Sequence, residues 1–131
     1  MKVKDVMILI GDFPVIDQKT ILKEALTEMG EVNLGLVCIV NTSNELLGLI
    51  TDGDIRRKLL KVQKPFSAFF VDDALVHAKR DPIICNPDDN LKDVVDLMGK
   101  KQIWDLPVVD IENKLVGLLH LHPAVKKILN L

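Results

Sequence analysis

The residues with the greatest chemical potential lie in the stretch Thr-Asp-Gly-Asp at positions 51–54, directly after an apolar run. Arg56 and Arg57, two of the chain's three arginines, follow at once. A carboxylate accepts hydrogen bonds from a vicinal diol, a hydroxyl donates to a phosphate oxygen, and a guanidinium holds phosphate or carboxylate through paired hydrogen bonds. Gly53 allows the backbone to approach a ligand closely.

A purely structural interpretation of the same residues stands beside the ligand-binding one. The Thr-x-x-Asp spacing is that of a helix capping box, in which Thr51 caps a helix and Asp54 reaches back to the backbone. Asp52 is predicted to be exposed to solvent. One of the two arginines is predicted to pair with a surface carboxylate, because adjacent helical residues point in different directions.

Composition narrows the class of protein. The chain has 131 residues, 48% hydrophobic and 27% charged, which predicts a soluble globular protein of one domain or two small ones. The net charge of -2, without a basic run, argues against nucleic acid as a partner. No apolar run approaches the ~20 residues of a membrane span, and the start is a poor signal peptide, so a cytoplasmic protein is predicted. Cys38 and Cys85 are predicted to be reduced core residues.

The chain repeats itself with a shift of 69 residues, which aligns residues 15–60 with residues 84–129 without a gap. The identical pairs include Leu22/Leu91, Met29/Met98, Gly48/Gly117 and Leu49/Leu118. Each copy reads strand, helix, strand, strand, helix, with the second helices predicted over residues 55–60 and 124–129. Gly30 and Gly99 are predicted to end the first helices with a positive φ.

The predicted fold class is therefore α/β (α+β), with two tandem strand-helix-strand-strand-helix repeats. Residues 1–60 form the first repeat, residues 61–72 a connector whose phenylalanines serve packing, and residues 73–131 the second repeat. One copy of about 60 residues buries too little surface to be stable alone, so the two are expected to pack through their sheets.

These features resemble the cystathionine-β-synthase (CBS) domain pair, also called a Bateman module, over essentially the whole chain. The C-terminal regulatory pair of arabinose-5-phosphate isomerases is the closer resemblance, carried by VKDVM at 3–7, TILKEALTEM at 20–29, NLGLVCIV at 33–40, ITDGDIRR at 50–57 and LVGLLHLH at 115–122. The resemblance implies a pseudo-twofold pair that senses a nucleotide or nucleotide-sugar, forms a homodimer and controls an attached sugar-phosphate isomerase. Similar pairs are joined to sugar nucleotidyltransferases, and a ligand-free dimerisation module is the other alternative.

The resemblance also implies roles for particular residues. Asp54 would hold ribose hydroxyls and Thr51 would contact phosphate. The full predicted ligand-binding set is Thr51, Gly53, Asp54, Arg56, Arg57, Pro14, Val15, Cys38, Lys79, Arg80, His120 and His122. If the attached enzyme is the isomerase, the predicted ligand is a cytidine monophosphate (CMP) sugar acid, with an adenosine monophosphate (AMP) type of nucleotide as the alternative. Lys79 and Arg80 face either this ligand or solvent.

The second repeat departs from the pattern, since His120, His122 and Pro123 stand where the first has Thr51, Gly53 and Asp54. Its nucleotide site is predicted to be degenerate, with Pro123 at the first position of a helix. The two histidines are predicted to face the same side of a strand. They either line the ligand pocket or serve structure; a metal is disfavoured because zinc needs three or four ligands. No catalytic constellation or cofactor motif is present, so the chain is predicted not to be an enzyme.

Overall fold

Two separately packed units make up the computed structural model, which describes residues 1–130. The first-repeat unit consists of residues 13–82. The second-repeat unit consists of residues 1–12 together with the described residues from 83 onward. Each unit thus contains one repeat together with a short segment that, in the sequence, comes directly before the other repeat. The division into residues 1–60, 61–72 and 73–131 describes the sequence repeat and stays a prediction.

The elements alternate as the repeat predicts. In chain order they are β1 (Ile8–Leu9), β2 (Val15–Asp17), α1 (Leu22–Glu31), β3 (Leu36–Val40), β4 (Leu46–Thr51), α2 (Asp52–Lys61), α3 (Phe66–Phe70), α4 (Leu91–Lys101), β5 (Asp105–Val109), β6 (Leu115–His120) and α5 (Leu121–Ile128). Two 3₁₀ turns, Val3–Asp5 and Ala74–His77, precede β1 and follow α3. The mixed α/β class is confirmed.

The first-repeat unit is built on a three-stranded sheet of order β2-β3-β4. Strand β2 runs parallel to β3, and β3 pairs antiparallel with β4 as the predicted hairpin. Alternate residues of these strands join α1 and α3 in one apolar cluster, because successive strand side chains point to opposite faces. That cluster comprises Ile16, Leu22, Ala25, Met29, Val37, Ile39, Ile50, Phe69 and Ala74.

The second-repeat unit has a sheet of order β1-β6-β5. Strands β5 and β6 form the hairpin in the same register as β3 and β4, including a bulge near the end of the first strand. Its apolar cluster occupies equivalent positions and comprises Val3, Cys85, Leu91, Val94, Met98, Leu106, Val108, Leu119 and Ala124.

The leading segments of the two units are themselves equivalent, with a shift of 71 residues. The amide of Leu22 donates to the carbonyl of Asp72 at 2.8 Å, and the amide of Leu91 donates to that of Met1 at 2.9 Å. Likewise Leu49 of β4 pairs with Lys79, as Leu118 of β6 pairs with Ile8. Each 3₁₀ turn therefore docks on the first helix of its unit in the same way.

The predicted helix ends were wrong in detail. Gly30 and Gly99 lie inside α1 and α4, and neither has a positive φ. The left-handed residue that ends α4 is Gln102, with φ 55°. The second helices also begin earlier than predicted, at Asp52 and Leu121, because each follows its strand without a loop.

The remaining structural predictions concern the cysteines and membrane insertion. Cys38 and Cys85 are both buried and neither forms a disulfide, as predicted. Burial, with a smaller effect of the nearby Asp89 carboxylate, raises the pKa of the Cys85 thiol to about 12. Within residues 1–130, every helix is too short or too polar to cross a membrane.

Candidate functional site

The junction of β4 and α2 places Thr51 and Asp54. Thr51 is the last residue of the strand and the N-cap of the helix, and its Oγ1 accepts a hydrogen bond of 3.1 Å from the Asp54 amide. Asp54 returns the contact, since its Oδ2 accepts from the Thr51 amide at 3.1 Å. The capping box is thus confirmed, and it fixes both side chains at the amino end of α2.

Arg57 completes the cluster from the next helical turn. Its Nη2 donates to Asp54 Oδ1 at 2.9 Å, so one of the two arginines pairs with a carboxylate, but with the half-buried Asp54 and not with a surface carboxylate as predicted. A Cβ at Gly53 would lie 3.1 Å from Arg57 Nη1, so the missing side chain gives the guanidinium its space. Arg56 is exposed, and Asp52 is exposed as predicted.

The Asp54 carboxylate is charged yet retains capacity for a ligand. Burial by itself raises the pKa of this carboxyl, but the hydrogen bonds from Arg57 and Thr51 outweigh it and the net pKa is lowered. A carboxylate has about four lone-pair sites, and the two contacts from Arg57 and Thr51 leave room for further donors. The Thr51 hydroxyl acts as acceptor inside the box, so its own proton is available to a phosphate oxygen.

Several other predicted residues fall into one cross-strand row. Val15 pairs with Cys38, Cys38 with Leu49, and Leu49 with Lys79. Residues directly opposite each other project from the same face of a sheet, so the row shares one face. Thr51 follows Leu49 by two residues and belongs to that face as well.

Pro14 and Arg80 flank this row. The Pro14 carbonyl accepts a hydrogen bond of 3.1 Å from the Cys38 amide, which holds the start of β2 against β3. Arg80 follows Lys79 and is exposed. Within the first-repeat unit, the fold therefore brings most of the predicted set to one sheet face and its α2 end. The basic members of the set, Arg56, Arg57, Lys79 and Arg80, are all exposed.

The second repeat uses the equivalent positions differently. His120 pairs across strands with Asp105, in the register that joins Thr51 to Leu36 in the first repeat. His120 Nδ1 lies 2.7 Å from Asp105 Oδ1. Burial raises the pKa of the Asp105 carboxyl, and the hydrogen bond to His120 only partly offsets this. The pair leaves α5 without a side-chain cap.

The prediction that His120 and His122 face one side of a strand was wrong. Strand β6 ends at His120, so strand alternation does not extend to His122, which lies exposed in the first turn of α5. Pro123 is the third residue of that helix and not the first. Among residues 1–130, no group of three metal-ligating side chains is found.

Sequence reasoning missed a groove beside Thr51. It has a volume of roughly 500 Å³ and is lined by Leu26, Met29, Gly30, Val32, Asn33, Leu34, Gly35 and Asp52. The Asp52 amide donates to the Gly35 carbonyl at 3.0 Å, and a Cβ on Gly35 would lie 2.6 Å from Asp52 Oδ2. The alignment of the two repeats indicated where the groove lies, because Gly35 of the first repeat aligns with the large side chain of Trp104 in the second.

The fold and the Thr51–Asp54 junction define a class of protein. The family model described as the CBS domain matches residues 3–61 and 71–122. The chain belongs to the CBS domain family and carries a pair of these domains, which confirms the predicted family. CBS pairs are regulatory modules and not catalytic ones.

Relatives of known sequence are longer than this chain. An uncharacterized protein of Helicobacter pylori is 37% identical over 129 residues, covering 96% of this chain and 37% of the relative. The arabinose 5-phosphate isomerase KdsD of Pseudomonas aeruginosa is 30% identical over 128 residues, again with 96% and 37% coverage. The chain thus spans little more than a third of the length of these relatives.

Solved structures share the fold. CBSX2, a CBS-pair protein of Arabidopsis thaliana, has been determined in complex with AMP. That complex matches this chain with a TM-score of 0.85 and 24% sequence identity, covering 98% of this chain and 96% of the other.

Proposed function

We infer that the first-repeat unit is a nucleotide sensor whose ligand contacts Thr51 and Asp54. The observation that carries this is the state of the Asp54 carboxylate, which is ionised, held by Thr51 and Arg57, and still able to accept from a ribose diol. The amino end of α2 adds free N–H groups and a positive dipole end, which favour phosphate.

A cytidine monophosphate sugar acid is the proposed ligand, and its extra carboxylate is the reason. Arg56 is exposed beside the capping box and supplies a cation that the box itself does not use. A simple adenosine nucleotide has no carboxylate to occupy it. His120, whose ring is engaged with Asp105, belongs to the second-repeat unit, and its predicted role toward the ligand stays a prediction together with that of His122.

The activity proposed to be regulated is that of an attached sugar-phosphate isomerase. Support comes from the KdsD relative, which this chain matches over 96% of its own length. An activated sugar acid formed downstream of such an isomerase is a suitable feedback signal, since its concentration reports on flux through the enzyme.

The test is calorimetric titration of the chain with CMP, the CMP sugar acid and AMP. We expect one site per chain and tighter binding of the cytidine ligands. Losing the hydrogen bonds of one charged partner costs about 1.5–3 kcal/mol, so Asp54→Ala should weaken binding roughly ten- to a hundredfold. Asp93→Ala is the matched control, because Asp93 occupies the equivalent helical position of α4 in the second-repeat unit. Equal affinity for CMP and AMP would refute the cytidine assignment, and unchanged binding by Asp54→Ala would refute the site.

A dimerisation module is the second candidate function, favoured by exposed apolar side chains on and after α2. Leu60 is 78% exposed, Phe66 63% and Val71 70%. Light scattering at micromolar concentration should give a dimer. Leu60→Glu should shift it towards monomer, whereas Ile111→Glu, at an exposed turn of the second repeat, should not. A monomer at high concentration contradicts this proposal.

A further inference from the structure

The Arg57 guanidinium folds back over the first turn of α2. Its Nη2 lies 2.9 Å from Asp54 Oδ1, and its Nη1 lies 3.1 Å from the position that a Cβ on Gly53 would take. Helix side chains lean towards the amino end, so a residue three to four positions along can cover Asp54 and Gly53 together. The guanidinium therefore occupies the space that the missing side chain of Gly53 leaves.

Gly53 is a poor residue for helix stability. Glycine within a helix is less stable than alanine, because it loses more backbone freedom on folding. Its φ in α2 is not positive, so the backbone conformation does not require glycine here. The absent Cβ instead provides room for Arg57, because Nη1, Nη2 and Cζ of that side chain all lie within 3.5 Å of the Cβ position.

The two carboxylate oxygens of Asp54 have different partners. Oδ2 accepts from the Thr51 amide at 3.1 Å and belongs to the capping box. Oδ1 accepts from Arg57 at 2.9 Å. Burial raises the pKa of the Asp54 carboxyl, and the hydrogen bond from Arg57 is the largest of the effects that lower it. Arg57 thus keeps the carboxylate charged, and Oδ1 is the oxygen whose partner a ribose hydroxyl can replace.

The contact between Arg57 and Asp54 is suited to exchange. The Arg57 side chain is 55% exposed. An ion pair this exposed, between residues three apart on a helix, contributes little to stability, so moving the guanidinium to another anion costs little. Phosphate is a favourable second partner, because the planar guanidinium donates two parallel hydrogen bonds to it. Arg57 can therefore pair with the carboxylate in the free chain and with a phosphate in a complex.

The second repeat supplies an internal comparison. The shift of 69 residues aligns the glycine, the carboxylate and the guanidinium of this cluster with His122, Pro123 and Lys126. All three are thus absent together in the repeat whose nucleotide site is predicted to be degenerate. Lys126 keeps a positive charge in the last turn of α5, where it suits the helix dipole. A cation at this position therefore does not require a glycine four residues before it.

We propose that Arg57 selects phosphorylated ligands at this site, by pairing with Asp54 in the free chain and moving its guanidinium to the ligand phosphate when the ribose diol takes over Asp54 Oδ1. The inference rests on the proposed function, since it needs the diol at Asp54. It assigns the phosphate to Arg57 and leaves Arg56 for the carboxylate of a sugar acid. The favoured ligand class is a nucleoside monophosphate with a free diol, and the matching nucleoside binds less tightly.

The test is titration of the full chain with CMP and with cytidine, each followed by NMR. The native chain should bind CMP more tightly than cytidine. Arg57→Gln should lower the ratio of CMP affinity to cytidine affinity by about tenfold without weakening cytidine, because only the phosphate loses a charged partner. Lys61→Gln is the matched control, since it removes the same charge from the exposed carboxyl end of α2 and should leave the ratio unchanged. In the native chain, CMP should also shift the Arg57 side-chain N–H resonances more than cytidine does.

Two results would overturn the role of Arg57 and leave the proposed function standing. One is an affinity ratio unchanged by Arg57→Gln while Asp54→Ala still weakens both ligands. The other is an equal fall of the ratio in Arg57→Gln and Lys61→Gln, which would show only the general charge of α2. If neither ligand binds the native chain, the proposed function fails and the role of Arg57 fails with it. Equal Arg57 shifts with CMP and cytidine would also contradict the proposal, and that measurement needs no variant to fold.

Discussion

His120 Nδ1 and Asp105 Oδ1 lie 2.7 Å apart in a hydrogen bond across β5 and β6, at the two positions where the first repeat has Thr51 and Leu36. The backbone register is the same in both repeats. In the first, the strand end caps a helix and holds a carboxylate; in the second, it pairs an imidazole with an acid and leaves the helix uncapped. The two repeats share one fold, but the side chains at the ends of β4 and β6 make different interactions.

The Asp105 carboxyl should make stability fall with rising pH. Its pKa is raised by burial from the usual 3.8, so just above that pH the folded chain binds more protons than the unfolded one. The contribution of Asp105 to the free energy of unfolding should therefore decrease as pH rises from about 3 through its folded pKa. Urea titrations of Asp105→Asn should lack this decrease, and Asp93→Asn, at an exposed helix start, should retain it. A constant difference between native chain and Asp105→Asn at all pH values would contradict the prediction.

Asp54 should act in the opposite direction. Although burial opposes it, the contacts from Arg57 and Thr51 lower its pKa below 3.8, so the unfolded chain binds more protons in that range. Its contribution is present above 3.8 and is lost as pH falls through the folded pKa. Asp54→Ala should be less stable than the native chain at pH 7, with the gap closing in acid. Asp52→Ala removes the same charge from the exposed neighbour and serves as the control; a gap independent of pH argues against the paired carboxylate.

Thr51→Ala should lower the free energy of unfolding by about 0.5–2 kcal/mol, the usual cost of losing an N-cap. The hydroxyl accepts from the Asp54 amide, and alanine leaves that donor without its partner. Thr27→Ala makes the same chemical change at an exposed position inside α1, where alanine is the better helix former. Denaturant unfolding of both variants is the measurement, and equal stability of the two would show that the cap contributes nothing.

Gly117→Ala and Gly99→Ala should change stability with opposite sign. A Cβ at Gly117 would lie 2.9 Å from the Ile8 carbonyl oxygen and 2.7 Å from Met7 Sδ, so β1 would have to shift at a cost of roughly 1–3 kcal/mol. Gly99 lies within α4 with nothing inside 4 Å of its Cβ position, and alanine there should stabilise by up to about 1 kcal/mol. Thermal unfolding separates them; a stabilised Gly117→Ala would mean that β1 is not docked on β6.

The repeat was readable from sequence because it rests on periodicity. Apolar positions of α1 and α4, and the alternation along β3–β4 and β5–β6, follow directly from helical and strand spacing. The capping box could also be predicted from the sequence, because Thr51 and Asp54 are three residues apart and interact locally. The helix ends were less readable, because Gln102 took the left-handed position that glycine usually occupies.

The contacts between distant segments were decided only by the tertiary structure. The sequence could not show that residues 1–12 pack with the second repeat and residues 71–82 with the first, because docking of a leading segment depends on space beside Gly48 and Gly117. The His120–Asp105 pair depends on strand register, and the buried His77 on the turn that carries it. Local spacing thus determined the elements and the cap, whereas burial and pairing across the sheet determined which charged groups meet.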